Sequence, residues 1–210
     1  MIDTSENLII IKGQIKTAEI ESCQNYGGNY KILFRNSSSA YTYKEENVLW
    51  LTSPEKPAPN DYQIVSKGRT LSNIEALYVF YAGKHSYWHI RFQNGKEYDY
   101  KGKDLQITQS CLREPCSRSV FEYLKKVADV NGLKADDGTK LLAKQYEKVN
   151  FIADNRAIAA YLNPQKYKLQ TQSTSTLIFP FGCNASQQKA VQTAFENQIS
   201  VVQGPPGTGK

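Results

Sequence analysis

The sequence predicts an α+β protein in which a β-rich N-terminal part precedes a short helical part. Residues 1–110 hold 15 of the 24 aromatic residues, and their β-branched runs are bounded by Gly, Pro and Asn, which is typical of strands. After about residue 112 the apolar residues recur every three to four positions, which indicates amphipathic helices. A chain of 210 residues is long enough for one large domain or two small ones.

The strands of the first half follow its apolar runs in order. The hairpin at its end carries the strongest signal, because Asn94-Gly95 favours a two-residue turn. On the strand before this turn, Trp88, Ile90 and Phe92 share one face and are expected in the core. No repeat of fixed period is apparent. Strands are predicted at residues 8–12, in the partly alternating stretch up to residue 20, and at residues 30–35, 41–43, 48–51, 74–81, 87–93 and 97–100.

Three helices are predicted in the second half. The first covers residues 119–130, with Ser117 as its N-cap and Asn131-Gly132 at its end. The second begins at a cap on Asp136 or Asp137 and reaches residue 149, and the third covers residues 156–162, before Asn163-Pro164. The residues expected to pack inward are Val120, Leu124, Val127, Leu142, Tyr146 and Val149.

These patterns divide the chain into four parts. Residues 1–110 are expected to form a β-rich domain and residues 111–170 a helical segment. Residues 171–182 contain the polar stretch TQSTST and are expected to be a linker. Residues 183–210 carry the motifs described below.

Charge is concentrated in the second half. The net charge of the chain is +6; residues 1–110 carry 13 Lys/Arg against 12 Asp/Glu, and residues 111–210 carry 13 against 8. Lys140, Lys144 and Lys148 have the spacing of one helix side, which fits either a solvated face or a phosphate contact. Most aromatic residues lie in the first half and the excess positive charge in the second, so a surface for stacking nucleic-acid bases is not indicated in the first half.

Other classes are disfavoured. No apolar run approaches the length of a membrane helix, and no signal peptide is visible. Four scattered cysteines do not form a disulfide framework, which favours a cytoplasmic protein. The pairs His85/His89 and Cys111/Cys116 superficially suggest zinc, but residues four apart on a strand span about 13 Å, so no metal site is expected.

The end of the chain carries a phosphate-binding motif. The apolar run at residues 199–203 leads directly into a sequence of the form G-x-x-x-x-G-K. Glycines in such a loop let backbone N–H groups surround phosphates, and Lys210 is predicted to be catalytic by reaching the β- and γ-phosphates. The residues predicted to bind nucleotide here are Gly204, Pro205, Pro206, Gly207, Thr208, Gly209 and Lys210.

A helix is predicted just upstream, from about residue 184 to Glu196, with Ser186 as a possible cap. Ala190, Val191 and Ala194 are expected to pack inward. Gln187 lies 17 positions before Gly204. Because a side-chain amide carries both a donor and an acceptor, Gln187 is a candidate for reading the edge of adenine.

Asn184-x-x-Gln187-x-x-Ala190-Val191 followed by GPPGTGK resembles superfamily 1 helicases, in the group that includes the RNA-surveillance helicase and the replication nuclease-helicase. The resemblance covers about residues 182–210, and the rest is similar to the N-terminal region of large bacterial AAA-domain helicases. It implies that Gln187 belongs to the adenine-contacting Q motif. It also implies that residues 183–210 form the first helix and strand of a RecA-like P-loop domain.

The same resemblance implies ATP and Mg²⁺ as cofactors and DNA or RNA as partner. The family's Walker B acid, arginine fingers and second RecA-like domain are expected beyond Lys210. The chain is therefore expected to be the N-terminal portion of an ATP-dependent helicase, which by itself neither hydrolyses ATP nor binds it tightly.

Two alternatives stay open. An AAA+-type ATPase also uses GPPGTGK, although Gln187 and Gln203 favour the helicase. A non-enzymatic accessory binding module with a vestigial helicase start would bind its partner without nucleotide.

Overall fold

The computed structural model describes residues 2–132, 134–173 and 176–204 of the chain. The described residues form four α-helices and small three-stranded sheets. This mixture of helices and sheets agrees with the predicted α+β class. The chain divides into two compact units, Met1–Thr108 and Gln109–Lys210.

Residues 7–109 contain two copies of one six-stranded arrangement, a repeat that the sequence does not make apparent. In each copy, the first, second and sixth strands form one sheet and the third, fourth and fifth form another. The first copy, residues 7–52, consists of β1 (Asn7–Ile11), β2 (Gln14–Ile15), β3 (Ile20–Tyr26), β4 (Asn29–Phe34), β5 (Tyr41–Lys44) and β6 (Val48–Thr52). The second copy, residues 62–109, consists of β7 (Tyr62–Ser66), β8 (Arg69–Thr70), β9 (Ile74–Ala82), β10 (His85–Phe92), β11 (Glu97–Lys101) and β12 (Leu105–Gln109).

The first hairpin has the same backbone in both copies. Lys12 and Gly13 have φ angles of 47° and 78°, and Lys67 and Gly68 have 49° and 75°. Two successive positive φ angles define the turn that matches the twist of a tight hairpin, and glycine adopts the second at no steric cost. The matching turns show that the copies are equivalent residue by residue in this region.

Backbone hydrogen bonds outside the sheets are also repeated. In the first copy, the Arg35 N–H donates to the Glu19 carbonyl at 2.9 Å; in the second, the Gln93 N–H donates to the Asn73 carbonyl at 2.9 Å. A second matched pair joins Lys16 to Ile9 at 2.9 Å and Leu71 to Ile64 at 2.8 Å. These bonds establish which side chains occupy equivalent places.

The cores of the two copies use matching positions. Trp88 and Ile90 are buried and Phe92 packs against them, which confirms the face predicted for this strand. An edge-to-face aromatic pair with a centroid distance of 5.8 Å occurs in both copies, as Phe34–Tyr41 and as Phe92–Tyr98. The equivalent buried pairs are Ile9 and Ile64, Ile32 and Ile90, and Val48 and Leu105.

A joint between the two copies explains the unbroken apolar run at the start of the chain. Leu8 and Ile10, on the face of β1 opposite its own core, pack against Tyr78 and Phe80 of β9. Because β1 is covered on both faces, its run does not alternate. Two backbone hydrogen bonds of 2.9 Å between Glu55 and Val79 extend the joint.

The packing of β1 on β9 is not repeated between β7 and β3, their counterparts in the other copy, among the described residues. Register places Gln24 and Tyr26 of the first copy where the second has Tyr78 and Phe80, and Tyr26 is 62% exposed. The outward face of β7 likewise carries Gln63 where β1 has Leu8. With these residues, the outer faces of β3 and β7 have no counterpart of the Leu8–Phe80 packing among the described residues.

The second unit is built around one apolar cluster. The packing of Val120, Leu124, Tyr146 and Val149 against it is confirmed, whereas Val127 and Leu142 are exposed and their prediction is wrong. The helices are α1 (Pro115–Asn131), α2 (Leu141–Glu147), α3 (Ala157–Leu162) and α4 (Ala185–Glu196). The buried members of the cluster are Cys111, Leu112, Phe121, Ile152, Ala159 and Leu162.

The predicted caps of the first two helices are wrong. The N-cap of α1 is Glu114, with Pro115 in the first turn, and Ser117 is buried inside the helix. Proline starts a helix well because its missing N–H has no partner at that position in any case. Asp137 instead accepts a bond from the Thr139 N–H at 2.9 Å, which stabilises a turn, and α2 begins only after Lys140.

The end of α3 at Leu162, before Asn163-Pro164, is as predicted. No helix in the described part of the chain combines the length and the apolar character required to cross a membrane.

The cysteines of the second unit are expected to differ in reactivity. Burial, with a smaller contribution from Asp154, raises the pKa of Cys111 to about 11, and its side chain is fully buried. Cys116 is exposed. Because the thiolate is the reactive species, native alkylation with N-ethylmaleimide near pH 8 should modify Cys116 well before Cys111. Peptide mass spectrometry measures the order, and equal rates would contradict the packing of Cys111.

Candidate functional site

Helix α4 presents Gln187 in its first turn. The Asn184 side chain accepts a bond from the Gln187 N–H at 2.9 Å, and the Gln187 side-chain oxygen accepts a bond from the Asn184 N–H at 3.0 Å. These reciprocal bonds form a capping box. The cap is therefore Asn184, and the prediction of Ser186 is wrong. The box holds the Gln187 carboxamide at the start of the helix.

The predicted phosphate-binding motif lies almost entirely outside the described residues. Gly204 is half-buried and is the last residue described. Pro205, Pro206, Gly207, Thr208, Gly209 and Lys210 lie beyond it, so their predicted roles rest on the sequence.

The strand predicted before the motif is absent from the described residues, since residues 199–204 have no strand hydrogen bonding. Ile199, Val201 and Val202 are 50%, 90% and 55% exposed. A parallel strand needs partners on its edges and cover on its faces, and nothing in the described part of the chain supplies them. The apolar run at residues 199–202 thus has the composition of a buried strand, although its apolar side chains are exposed.

The inward packing predicted for α4 is also wrong. None of its residues is buried, and Val191 is 39% exposed. Among the described residues, no sheet lies against the apolar side of the helix.

Hydrogen bonds connect the end of α4 with the start of the predicted linker. The Gln172 N–H donates to the Glu196 carbonyl at 2.9 Å, and the Gln170 N–H donates to the Gln198 side chain at 3.0 Å. Thr171 forms an isolated antiparallel bridge with Asn197. Residues on both sides of the linker therefore lie in the second unit.

The three lysines predicted to line one side of the second helix lie only partly within a helix. Only Lys144 lies within α2, while Lys140 and Lys148 flank it. The Lys140 ammonium pairs with the Asp129 carboxylate at 2.7 Å. This engagement favours the structural interpretation of Lys140 over a phosphate contact.

The residues with a superficial zinc pattern are dispersed. His89 is buried, with Nδ1 2.8 Å from the Asp99 carboxylate, whereas His85 is exposed. Cys111 is buried and Cys116 exposed. Within the described ranges, no group of three or more His, Cys, Asp or Glu side chains is arranged to hold a metal ion.

A pocket of about 510 Å³ that sequence reasoning missed lies in the first copy of the first unit. Segments distant in sequence form its walls: the turn Thr17–Glu19, the loop after β4, and β5. It combines aromatic rings with cationic side chains. The Tyr-x-Tyr pattern of β5, with alternate residues on one face, is the signal for its aromatic wall. The lining residues that matter are Lys16, Glu19, Phe34, Arg35, Asn36 and Tyr41.

Comparison of the chain with protein-family models, with curated proteins and with solved structures finds no match.

Proposed function

We propose that residues 182–210 begin the ATPase domain of a superfamily 1 helicase, and that the preceding residues are its N-terminal accessory region. The observation that carries the proposal is the capping box at Gln187. It fixes a side-chain amide at the start of a helix, 17 positions before the glycine that opens G-x-x-x-x-G-K. A fixed amide is suited to reading a base edge, since the rotamer cost of ordering it is already met by the box.

In this proposal, different residues contact the adenine base and the phosphates of ATP. Gln187 contacts adenine, and the backbone N–H groups of Gly204 and of residues 207–210 surround the phosphates. Lys210 neutralises charge on the transferred phosphoryl group. Mg²⁺, once bound, would supply charge neutralisation at the phosphates. The proposed partner is DNA or RNA, and the proposed location is the cytoplasm.

The exposed run at residues 199–202 supports this proposal. Its three apolar side chains are at least half exposed, which is costly unless a neighbouring sheet covers them. The central sheet of a RecA-like domain provides such cover. An AAA+ ATPase provides similar cover, but a glutamine fixed at this distance from the loop favours the helicase.

The binding-module alternative rests on a different observation. The first unit has complete apolar clusters, whereas α4 buries none of its residues. A folded accessory unit joined to a vestigial helicase start would show this contrast. It predicts partner binding without any nucleotide dependence.

Substitution of Gln187 tests the proposal, in the chain continued past Lys210 through the helicase core (the extended chain). Gln187→Glu keeps an oxygen that can complete the capping box but removes the amide donor. We expect ATP affinity to fall about 5- to 30-fold, the effect of one or two hydrogen bonds, and the preference for ATP over GTP to disappear. Titration with fluorescent ATP and GTP analogues measures both.

Gln188→Glu is the matched control, because it makes the same charge change one position along the helix. It should retain the preference for ATP. If Gln187→Glu also retains that preference, Gln187 does not read adenine and the Q-motif assignment fails.

A further inference from the structure

We propose that the pocket of the first copy, between the Thr17–Glu19 turn and β5, binds one nucleotide of a single-stranded nucleic acid. The base lies against Tyr41, and its phosphate lies at Arg35. The choice of nucleic acid as ligand rests on the proposed helicase function. The pocket itself rests on the geometry of the first unit.

The aromatic wall is preformed. Tyr41 packs edge-to-face on Phe34 at 5.8 Å with an interplanar angle of 66°, so its ring is held in place. The same ring is 52% exposed and offers a surface to a ligand. Aromatic rings bind bases of any sequence by stacking, because every base has a π face.

The charged residues of this lining are not repeated at the equivalent positions of the second copy. The aromatic pair is repeated as Phe92–Tyr98, so packing alone explains the rings. Packing does not explain the cations, because uncharged side chains stand at the equivalent positions of the second copy. In the second copy Lys16 is replaced by Leu71, Glu19 by Asn73 and Arg35 by Gln93.

The charges favour an anionic ligand. The Lys16 ammonium contacts both oxygens of the Glu19 carboxylate, at 2.8 and 2.9 Å, so these two charges offset each other. Arg35 is exposed and forms no ion pair within the described residues. Its guanidinium carries the excess positive charge of the pocket, and its planar donor fork matches a phosphate group. A cationic ligand, such as a methylated lysine, would be repelled by it.

A nucleotide unites the two features. Its base is flat and apolar on its faces, and its phosphate is anionic within the same unit. The Asn36 amide, with a donor and an acceptor, lines the same pocket and can bond a base edge. A volume of about 510 Å³ lies within the usual range of small-ligand sites. In a duplex the base faces are already stacked, so the pocket selects a single strand.

The repeat supplies a matched control for the test. Tyr41→Ala and Tyr98→Ala remove equivalent rings, of 52% and 50% exposure, from equivalent aromatic pairs. Of these two tyrosines, only Tyr41 lines the pocket that also contains Arg35 and Lys16. Arg35→Gln installs the residue that the second copy has at that position.

Fluorescence anisotropy of the 210-residue chain, without nucleotide, measures binding of labelled oligothymidylate and oligouridylate of about ten nucleotides. Tyr41→Ala should weaken binding about 5- to 100-fold, the effect of losing one base–aromatic stack. Arg35→Gln should weaken binding and lower the salt slope by about one. Tyr98→Ala should stay within about twofold of the wild type, and binding in either the DNA or the RNA arm supports the site.

The site would be overturned by no binding in either arm, by equal losses from Tyr41→Ala and Tyr98→Ala, or by equal competition by a duplex. Tyrosine-dependent binding of a trimethyl-lysine peptide in place of the oligonucleotides would overturn it as well. Unchanged tryptophan fluorescence in the variants confirms that the fold is intact. Because the test uses no ATP, failure of the pocket and failure of the helicase proposal are separately visible.

Discussion

Replacing Phe80 with alanine is expected to destabilise the first unit by about 3–5 kcal/mol. Phe80 is 2% exposed and packs at the joint between the two copies, with Leu8 and Ile10. Removing the ring leaves a cavity between two sheets that are each held by their own cores, so little collapse can fill it. Both copies should lose stability together, because each supplies one side of the joint.

Tryptophan fluorescence in a urea titration measures this effect. The chain has two tryptophans: Trp50 lies in the first copy and Trp88 in the second. In Trp50→Phe and Trp88→Phe backgrounds, Phe80→Ala should lower the midpoint seen by the remaining tryptophan in each case.

Tyr26→Ala is the control, because Tyr26 occupies the equivalent place in the first copy but is 62% exposed. Its effect should stay within about 0.5 kcal/mol. Separate midpoints for the two tryptophans after Phe80→Ala would mean that the copies fold independently, contrary to the joint described here.

Replacing Lys210 with alanine in the extended chain is expected to reduce ATP turnover at least about 100-fold, as removal of one charge-stabilising group from a transition state typically does. The loop's N–H groups remain, so nucleotide binding should weaken less than turnover falls. Steady-state phosphate release and nucleotide titration measure the two quantities.

Lys189→Ala is a suitable control, since Lys189 is an exposed lysine of α4. It should leave turnover close to that of the wild type. Equal turnover in Lys210→Ala and the wild type would show that the G-x-x-x-x-G-K sequence is not a working phosphate-binding loop.

Strands with strong aromatic and β-branched patterns could be predicted from the sequence, as β9, β10 and β11 show. β3 and β7 were missed because their apolar signal is weak: each has one buried residue, Ile20 and Ile64. Local propensity does not reveal a strand whose stability comes mainly from its neighbours.

The repeat was hidden by its connections. Lys12 and Lys67 are 55 positions apart, whereas Ile32 and Ile90 are 58 apart, so no single period aligns both turns and cores. Only hydrogen-bond register, which the sequence does not display, makes the copies comparable.

The two candidate sites also differ in how far the sequence could predict them. Gln187 and the predicted loop are close in sequence, so they could be proposed from the residues alone. The pocket in the first copy joins Lys16, Arg35 and Tyr41 from three segments. The sequence suggested that aromatic residues and positive charge lie apart; folding brings a few of each together.

The strand expected at residues 199–203 failed for a physical reason. Ile199, Val201 and Val202 have strand propensity, but a strand forms only when its backbone groups find partners. The residue types of this segment favour a strand. A strand also needs a partner strand beside it, and none lies beside residues 199–203 in the described part of the chain.

ATP turnover by the extended chain, with and without single-stranded DNA or RNA, tests the helicase proposal most directly. The proposal predicts turnover that a single strand stimulates. It predicts none above background from residues 1–210 alone, because it assigns the Walker B acid and the arginine fingers to the rest of the extended chain. Turnover that ignores nucleic acid, or that residues 1–210 sustain alone, would contradict it.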